Sequence, residues 1–299
     1  EIGMNNGVIA VLGATGKTGV RVAAGLVERG VAVRALSRSS AIAFDWEDRQ
    51  GWPAALAGVR AAYVTYYPDL AVPQAEGDMQ AFVDVARQQD VEHLVLLSGR
   101  GEEGAERAEQ VLINSGIAWN VVRASWFMQN FSESFMLEGL QAGELVLPEP
   151  RAAEPFIDAD DIADVAVAAL TDAALRNRLL EITGPELLTF GECVQAIAAA
   201  SGRDIGFTPL PLDAYLDGAK AAGLPDDIAW LISELFVNVL DGRNESITDT
   251  VAQVLGRPAR SLAEYVASMA PTGVWSAPAS VPASVPASVK GDAAEARCR

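Results

Sequence analysis

The sequence predicts an α/β protein with an open, mostly parallel β-sheet that is covered by helices on both faces. Three observations support this fold class. Residues Val8–Leu12 form an unbroken apolar run, which is typical of a strand buried on both faces of a sheet. A glycine-rich turn and an amphipathic helical pattern follow, and further strand and helix patterns alternate along the chain. The composition, 50% hydrophobic and 21% charged over 299 residues, is that of a globular protein.

The first part of the pattern reads strand, turn, helix and strand. A helix is predicted over Thr18–Glu28, with Gly30 as its stop, and a second strand over Val31–Leu36. The alternation continues with predicted strands at Ala43–Asp45, Ala61–Tyr66, His93–Ser98, Ala118–Arg123 and Leu179–Thr183, and predicted helices at Trp52–Leu56, Asp78–Gln88, Glu103–Asn114, Ile162–Leu170 and Phe190–Ala200. Two more helices are expected within residues 212–239.

The net charge and the hydropathy of the chain argue against nucleic-acid-binding and membrane-bound functions. The chain has 22 Lys and Arg against 40 Asp and Glu, a net charge of −18. Nucleic acid and anionic lipid are poor partners for such a chain, because both require a dense basic surface. No stretch approaches the ~20 apolar residues of a membrane span, and the N-terminus lacks a secretory signal pattern. We therefore expect a cytoplasmic protein, monomeric or homodimeric, that binds neither nucleic acid nor a membrane.

The sequence holds few residues that bind transition metals. Cys193 and Cys298 lie far apart, and His93 is the single histidine. Because zinc and related metals need clustered His and Cys, we expect no metal centre and no structural disulfide. His93 is interpreted as a surface polar residue and not as the base of a hydrolase. Cys193, on an amphipathic helical pattern, is expected to be buried and inert.

The most informative motif is the turn Gly13-Ala14-Thr15-Gly16-Lys17-Thr18-Gly19, which places a glycine at every third position between a strand and a helix. Glycine allows the tight turn and lets a diphosphate approach backbone N–H groups at the positive end of the helix. The spacing does not match a Walker loop, because Gly16-Lys17-Thr18 follows the first glycine too closely. The motif and its context predict a Rossmann-type dinucleotide site.

The end of the second predicted strand indicates which dinucleotide binds. An NAD-selective site places an acidic residue there, whereas this chain has Ser37-Arg38-Ser39-Ser40 and no acid before Asp45. A guanidinium with neighbouring hydroxyls suits the 2′-phosphate of NADP(H). Lys17, Arg38 and Arg34 are the candidate cations, and NADP(H) is the predicted cofactor.

Several stretches are similar to the NmrA-like family of atypical short-chain dehydrogenases. They are Asp45-Trp46, Ser98, Arg123 to Phe131 and Asp158 to Ala163. Phe44-Asp45-Trp46, Gly184 to Thr189 and Gly256 to Ser261 resemble the branch of ergot-alkaloid dehydrogenases of the festuclavine and agroclavine type, and the resemblance spans roughly residues 7–265. It implies that the cofactor contacts Gly13, Thr15, Gly16, Lys17, Thr18, Arg38, Asp45, Thr65 and Ser98. It also implies that Thr65, Tyr66, Ser98 and Trp126 lie near the nicotinamide and the substrate.

The usual acid of short-chain dehydrogenases is missing. Enzymes that reduce ketones use a tyrosine four residues before a lysine, which lowers the pKa of the phenol. None of the five tyrosines has lysine at that spacing, and the expected lysine position corresponds to Ala105. Ordinary keto–alcohol chemistry therefore loses support.

Two functions remain open. The first is an NADPH-dependent reductase of an acceptor that needs little acid help, such as a cyclic iminium, enone or quinone, in secondary metabolism or detoxification. Tyr66 and Ser98 are then the catalytic candidates, and Tyr67, Trp126 and Phe127 the substrate-binding candidates. The second is a non-catalytic NADP(H)-binding redox sensor of the NmrA type. The aromatic residues around Trp126 favour the enzyme, because they could line a cleft for a flat ligand, so the expected partner is a small aromatic or heterocyclic molecule.

Other conspicuous residues have simpler explanations. Phe127, Phe131 and Phe135 recur at helical spacing, which more often reflects core packing than a pocket. Asp160 and Asp161 precede an apolar helix and are interpreted as helix caps. Glu106 and Glu109 are expected to form a solvated helix face.

The predicted domain organisation has three parts. Residues 7–150 form the NAD(P)-binding domain, and residues 151–275 complete the sheet and form a small, mostly helical substrate lobe. Residues 276–299, a segment rich in Ala, Ser, Pro and Val, are expected to be a disordered tail, because they cannot bury enough apolar surface to fold.

Overall fold

The computed structural model describes residues 7–278, and its regular elements follow the predicted alternation. The strands are β1 (Val8–Leu12), β2 (Val33–Leu36), β3 (Val59–Val64), β4 (His93–Gly99), β5 (Ala118–Ala124), β6 (Glu144–Pro148), β7 (Arg178–Ile182) and β8 (Gly206–Leu210). The helices are α1 (Lys17–Glu28), α2 (Trp52–Leu56), α3 (Ala75–Gln88), α4 (Glu103–Ile113), α5 (Met136–Ala142), α6 (Ala159–Thr171), α7 (Phe190–Ser201), α8 (Leu212–Ala221), α9 (Asp226–Glu234), α10 (Thr250–Leu255) and α11 (Leu262–Met269). A short π-helix, Leu235–Val239, follows α9.

Six parallel strands form the main sheet in the order β2-β1-β3-β4-β5-β7. The order reverses at β1, since the chain runs outward to β2 and then returns to the other side of β1 as β3. Open α/β sheets bind ligands outside the carboxyl ends of their strands at such a switch point. The predicted doubly wound fold is confirmed, and its switch point coincides with the glycine-rich turn after β1.

Two compact units make up the described chain. The first contains the main sheet and comprises the chain up to Ala124, together with Ala159–Thr183 and Thr248–Ala259. The second comprises Ser125–Asp158, Gly184–Ile247 and the chain from Arg260 onward. Within the second unit, β6 and β8 pair in parallel as a separate two-stranded sheet. The domain boundaries drawn from the sequence stay a prediction.

Two sequence-based expectations about the first unit are wrong. The segment Ala43–Asp45 is not a strand, because side chains of neighbouring tryptophans hold it, as described below. His93 is not on the surface: it is fully buried in β4, and its Nε2 lies 2.9 Å from Oδ1 of Asn120 in β5. Burial lowers the pKa of His93 to about 4, so its imidazole is neutral near pH 7.

The described residues end shortly after the start of the predicted tail. From residue 279 onward that tail lies outside the described residues, and so does Cys298. Within residues 7–278, none of the helices is both long and apolar enough to cross a membrane. Cys193 is buried in α7 as a free thiol, which confirms that it is buried, and burial raises its pKa.

Candidate functional site

The turn after β1 adopts a conformation that only glycine can supply. Gly13 has a φ of +64°, and a Cβ there would lie 2.4 Å from Oγ1 of Thr65 at the end of β3. A Cβ on Gly19 would lie 2.1 Å from the carbonyl oxygen of Gly13. The first turn of α1 therefore packs directly on the loop that precedes it. Thr15 and Gly16 remain exposed in this turn, where a pyrophosphate would approach the backbone of a dinucleotide-binding motif.

The N-terminus of α1 carries the right charge for that ligand. Gly16 is the N-cap and provides no side-chain hydrogen bond to the first backbone N–H groups, and the first turn holds no acidic residue. Unsatisfied N–H groups at a helix N-terminus attract anions through their partial positive charge. Lys17 opens the helix and is half-buried, whereas Thr15 and Gly16 are exposed. Thr18 is buried beside Tyr63 of β3, so its side chain faces the sheet.

The cation predicted to contact the 2′-phosphate lies after β2. The exposed guanidinium of Arg38 lies over the ring of Tyr67, 5.3 Å from its centroid. Arg34, another cation considered from the sequence, is engaged elsewhere: its Nη1 donates to the carbonyl oxygens of Ala55 and Ala57 at 2.9 and 2.7 Å. Arg38 thus keeps its place as a cofactor candidate, and Arg34 loses it.

The indole groups of Trp46 and Trp52 hold the segment around Asp45, which follows the turn Ser37–Ser40. Trp46 donates from Nε1 to the carbonyl oxygen of Thr65 at 2.9 Å, and Trp52 donates to that of Asp45 at 2.7 Å. These bonds take the place of a strand ladder. They fix Asp45, which is half-buried, beside the carboxyl end of β3. Thr65 itself donates from Oγ1 to the carbonyl oxygen of Leu12 at 3.1 Å and so joins the ends of β1 and β3.

The hydroxyl group of Tyr66 donates a hydrogen bond to a carboxylate. Its oxygen lies 2.6 Å from Oδ2 of Asp78 in α3, and Oδ1 of Asp78 lies 2.6 Å from Nη2 of Arg49. Burial first, and then the hydrogen bond and charge of Asp78, raise the pKa of Tyr66 above its usual range. In short-chain dehydrogenases, by contrast, a lysine lowers the pKa of the catalytic phenol. The phenol of Tyr66 therefore holds its proton tightly.

Ser98 also donates to a carboxylate, and this corrects an expectation about α4. Glu109 is fully buried, not solvated, and Oε1 accepts from Oγ of Ser98 at 2.6 Å. The same carboxylate accepts two hydrogen bonds from the guanidinium of Arg123 in β5. That pairing is the main cause of the raised pKa of Arg123. Glu106 is the more exposed partner, 3.6 Å from Arg123.

The two acidic residues in the first turn of α6 form ion pairs within the first unit. Asp161 is fully buried, and its Oδ1 lies 2.7 Å from Nη1 of Arg257. Asp160 pairs with Nε of Arg21 at 2.8 Å. The interpretation of these two residues as simple helix caps did not include these ion pairs, which tie α6 to α1 and to the chain after α10.

The aromatic candidates of the second unit are packed together. Trp126 is 2% exposed, and its ring meets those of Phe190 and Phe236 edge to face at centroid distances of 5.4 and 5.7 Å. Phe127 and Phe131 are also buried, in line with the expectation of core packing. Nε1 of Trp126 is buried without a hydrogen-bond partner among the described residues. A buried donor of this kind is unusual and costs about 1–3 kcal/mol unless something accepts from it.

The structure brings some predicted residues together and adds others. Gly13 and Thr65 are in contact, Arg38 lies on Tyr67, and all four belong to the ends of β1, β2 and β3. Sequence reasoning missed Asp78, Arg49, Glu109 and Arg123 as partners of the predicted hydroxyls. No spacing rule connects these residues, because each pair joins different elements.

Comparison with known proteins identifies the family. A family model described as NAD(P)H-binding matches residues 13–173. The chain belongs to this NAD(P)H-binding family. It is 31% identical to an NAD(P)H azoreductase of Xenophilus azovorans over 280 residues, 86% of this chain and 96% of the relative. It is 32% identical to festuclavine synthase II of Penicillium roqueforti over 279 residues, 84% of this chain and 94% of the relative.

A solved structure agrees with the fold. An NADPH-dependent quinone oxidoreductase of Escherichia coli, crystallised with NADPH, superposes with a TM-score of 0.74 at 20% identity, covering 87% of this chain and 99% of that one. The predicted resemblance to the ergot-alkaloid dehydrogenase branch, the Rossmann-type fold and the NAD(P)H cofactor are confirmed. The prediction of an NAD(P)H-dependent oxidoreductase is confirmed as well.

Proposed function

We propose that this chain is an NADPH-dependent reductase whose acceptors are already activated: a cyclic iminium, an enone, a quinone or an azo group. The observation that carries the proposal is that both candidate proton donors, Tyr66 and Ser98, donate to carboxylates. An unactivated ketone needs an acid that releases its proton as the alkoxide forms. An iminium needs none, and a quinone or an azo group can take its proton from solvent.

The cofactor would be held by the first unit. The backbone of Gly13–Lys17 would bind the pyrophosphate at the start of α1, and the guanidinium of Arg38 would bind the 2′-phosphate. Asp45 and Thr65 would border the adenosine and the nicotinamide. Bound NADPH would supply the hydride, two electrons and one proton, to the acceptor. The protein then contributes orientation and exclusion of water, and little acid catalysis.

Tyr66 and Ser98 would shape the site without donating protons. Loss of the proton from Tyr66 would place a phenolate 2.6 Å from the carboxylate of Asp78, which is strongly unfavourable. Loss of the proton from Ser98 would place an alkoxide beside buried Glu109, at the same distance. We therefore expect Tyr66→Phe and Ser98→Ala to keep kcat within a few-fold of the wild type for iminium and quinone acceptors.

Trp126 is the best-supported substrate residue of the second unit. Its buried, unpartnered indole N–H can donate to a carbonyl, imine or azo acceptor atom, and its neighbours Phe190 and Phe236 offer flat apolar surfaces. Phe236 lies in the π-helix Leu235–Val239, a rare element that is often found at functional sites. Trp126→Phe should raise the KM of the acceptor severalfold and leave NADPH binding unchanged.

The test is consumption of NADPH, followed by its near-ultraviolet absorbance, with a panel of quinones, azo dyes, enones and cyclic iminiums. Turnover with at least one class, and none with simple ketones, is expected. If calorimetry shows tight NADPH binding and every acceptor leaves NADPH unchanged, the reductase is refuted. The alternative, a redox sensor, would then be supported. Loss of all turnover in Tyr66→Phe would refute the proposed absence of acid catalysis.

A further inference from the structure

The contact between Arg38 and Tyr67 changes the role expected for Tyr67. The ring lies 5.3 Å from the guanidinium carbon, a cation–π distance. Among residues 7–278, Arg38 has no hydrogen bond or ion pair of its side chain, so the ring is what orients the guanidinium. The sequence suggested that Tyr67 binds substrate, but its observed contact is with the residue predicted to bind the cofactor.

Contact with a single ring leaves N–H donors of the guanidinium available to a ligand. Arginine carries five N–H donors in a rigid planar fork, more than one ring can engage. An arginine held in this way can still donate two parallel hydrogen bonds to a phosphate. The ring also restricts the rotation of a long side chain before the ligand arrives, which lowers the entropy lost on binding.

Hydrogen bonds stabilise the segments that carry Arg38 and Tyr67. Oγ of Ser40 accepts from the backbone N–H of Ser37 at 2.9 Å and donates to the carbonyl of Ile42 at 2.7 Å, which fixes the turn that carries Arg38. On the other side, Tyr67 directly follows Tyr66, whose hydroxyl is bound to Asp78. The contact between Arg38 and Tyr67 is therefore supported by the segments that follow β2 and β3.

We propose that Tyr67 is a positioning residue that selects NADPH over NADH by orienting Arg38 toward the 2′-phosphate. The proposal rests on the proposed function, since it assumes that the cofactor occupies the crevice at β1. It assigns Tyr67 to cofactor choice and not to substrate binding. The selectivity then depends on two residues that follow different strands, β2 and β3, of which only Arg38 would touch the cofactor.

The test is a titration of NADPH and of NADH, without acceptor, into the wild type, Tyr67→Phe and Tyr67→Leu. Phenylalanine keeps the aromatic face and is the matched control. Tyr67→Leu should weaken NADPH binding about 2- to 5-fold, the range for an exposed cation–π contact, and should leave NADH unchanged. Tyr67→Phe should bind both cofactors like the wild type.

A double-mutant cycle gives a second, independent measurement. If Tyr67 acts through Arg38, Tyr67→Leu should not weaken NADPH further in an Arg38→Ala background, where the ring has no cation to hold. Equal losses for both cofactors, unchanged binding in Tyr67→Leu, or full additivity with Arg38→Ala overturns the proposal. A wild type that binds neither nucleotide refutes the proposed function itself, so the two failures are distinguishable.

Discussion

Substitution of Gly19 by alanine tests the proposed nucleotide site, because the added methyl group would overlap backbone atoms of the preceding turn. Its Cβ would lie 2.1 Å from the carbonyl oxygen of Gly13 and 3.1 Å from Cα of Ala14, both backbone atoms that cannot rotate away. The start of α1 would have to move by roughly 1 Å, an overpacking that costs about 1–3 kcal/mol. The helix propensity gained from glycine to alanine, about 1 kcal/mol, offsets part of this.

Gly77 provides the matched control. It lies in α3, is exposed, and a Cβ there would have no neighbour within 4 Å. Gly77→Ala should therefore gain the helix propensity alone and increase the free energy of unfolding by about 0.5–1 kcal/mol. Gly19→Ala should lower it by up to about 2 kcal/mol. Urea unfolding of both variants measures the difference.

The same pair of variants reports on cofactor binding. Moving the first turn of α1 displaces the N–H groups that would bind the pyrophosphate, and one lost hydrogen bond to a charged group is worth about 1.5–3 kcal/mol. Gly19→Ala should bind NADPH about tenfold more weakly or worse, and Gly77→Ala should bind like the wild type. If Gly19→Ala is as stable as Gly77→Ala and binds NADPH normally, the close packing of α1 on Gly13 is not what shapes the site.

Three further predictions concern single side chains. Because the pKa of His93 is lowered from 6.5 to about 4, its stabilising contribution is complete above pH 6.5 and is lost as the pH falls toward 4. Between pH 7.5 and 5 the wild type should lose about 2 kcal/mol more unfolding free energy than His93→Gln, and equal losses would contradict this. Glu109→Gln should lower the unfolding free energy by about 3 kcal/mol, because the half-buried guanidinium of Arg123 loses the charge of its fully buried partner. Glu106→Gln, at the more exposed partner, should change the unfolding free energy by less than about 0.5 kcal/mol. Similar losses in calorimetric melts of both variants would refute this difference. Arg38→Ala should weaken NADPH about tenfold or more in a fluorescence titration and leave NADH unchanged, and an equal loss for both would place Arg38 away from the 2′-phosphate.

The sequence was informative where the fold depends on neighbours in the chain. Strands buried on both faces of a parallel sheet appear as continuous apolar runs, so β1 and β4 were predicted to within one residue. The glycine motif is a local device of the same kind, because its turn, helix start and packing contact lie within seven consecutive residues. The cofactor class could therefore be predicted from the amino-acid sequence alone.

Contacts between elements that are distant in the chain could not be predicted from the sequence. Glu106 and Glu109 lie one helical turn apart and look equivalent in α4, and only the position of Arg123 in β5 decides that Glu109 is buried. His93 was expected at the surface because a strand end is often exposed. Its burial is accompanied by a contact with Asn120 of the neighbouring strand, whose amide oxygen lies within hydrogen-bond distance of Nε2 of the imidazole. A polar side chain is buried where the fold brings a hydrogen-bonding or charged partner to it, and that partner often comes from a distant part of the sequence.

Direct transfer of hydride is the central claim, and isotope transfer measures it most directly. NADPH that carries deuterium at both hydrogen positions of nicotinamide C4 is mixed in a single turnover with the protein and a cyclic iminium, and the reduced amine is analysed by mass spectrometry. We predict one deuterium on the former iminium carbon, retained in water, with one NADP⁺ formed for each amine. An amine without deuterium, or recovery of the deuterated nucleotide and of every acceptor offered unchanged, would contradict direct hydride transfer.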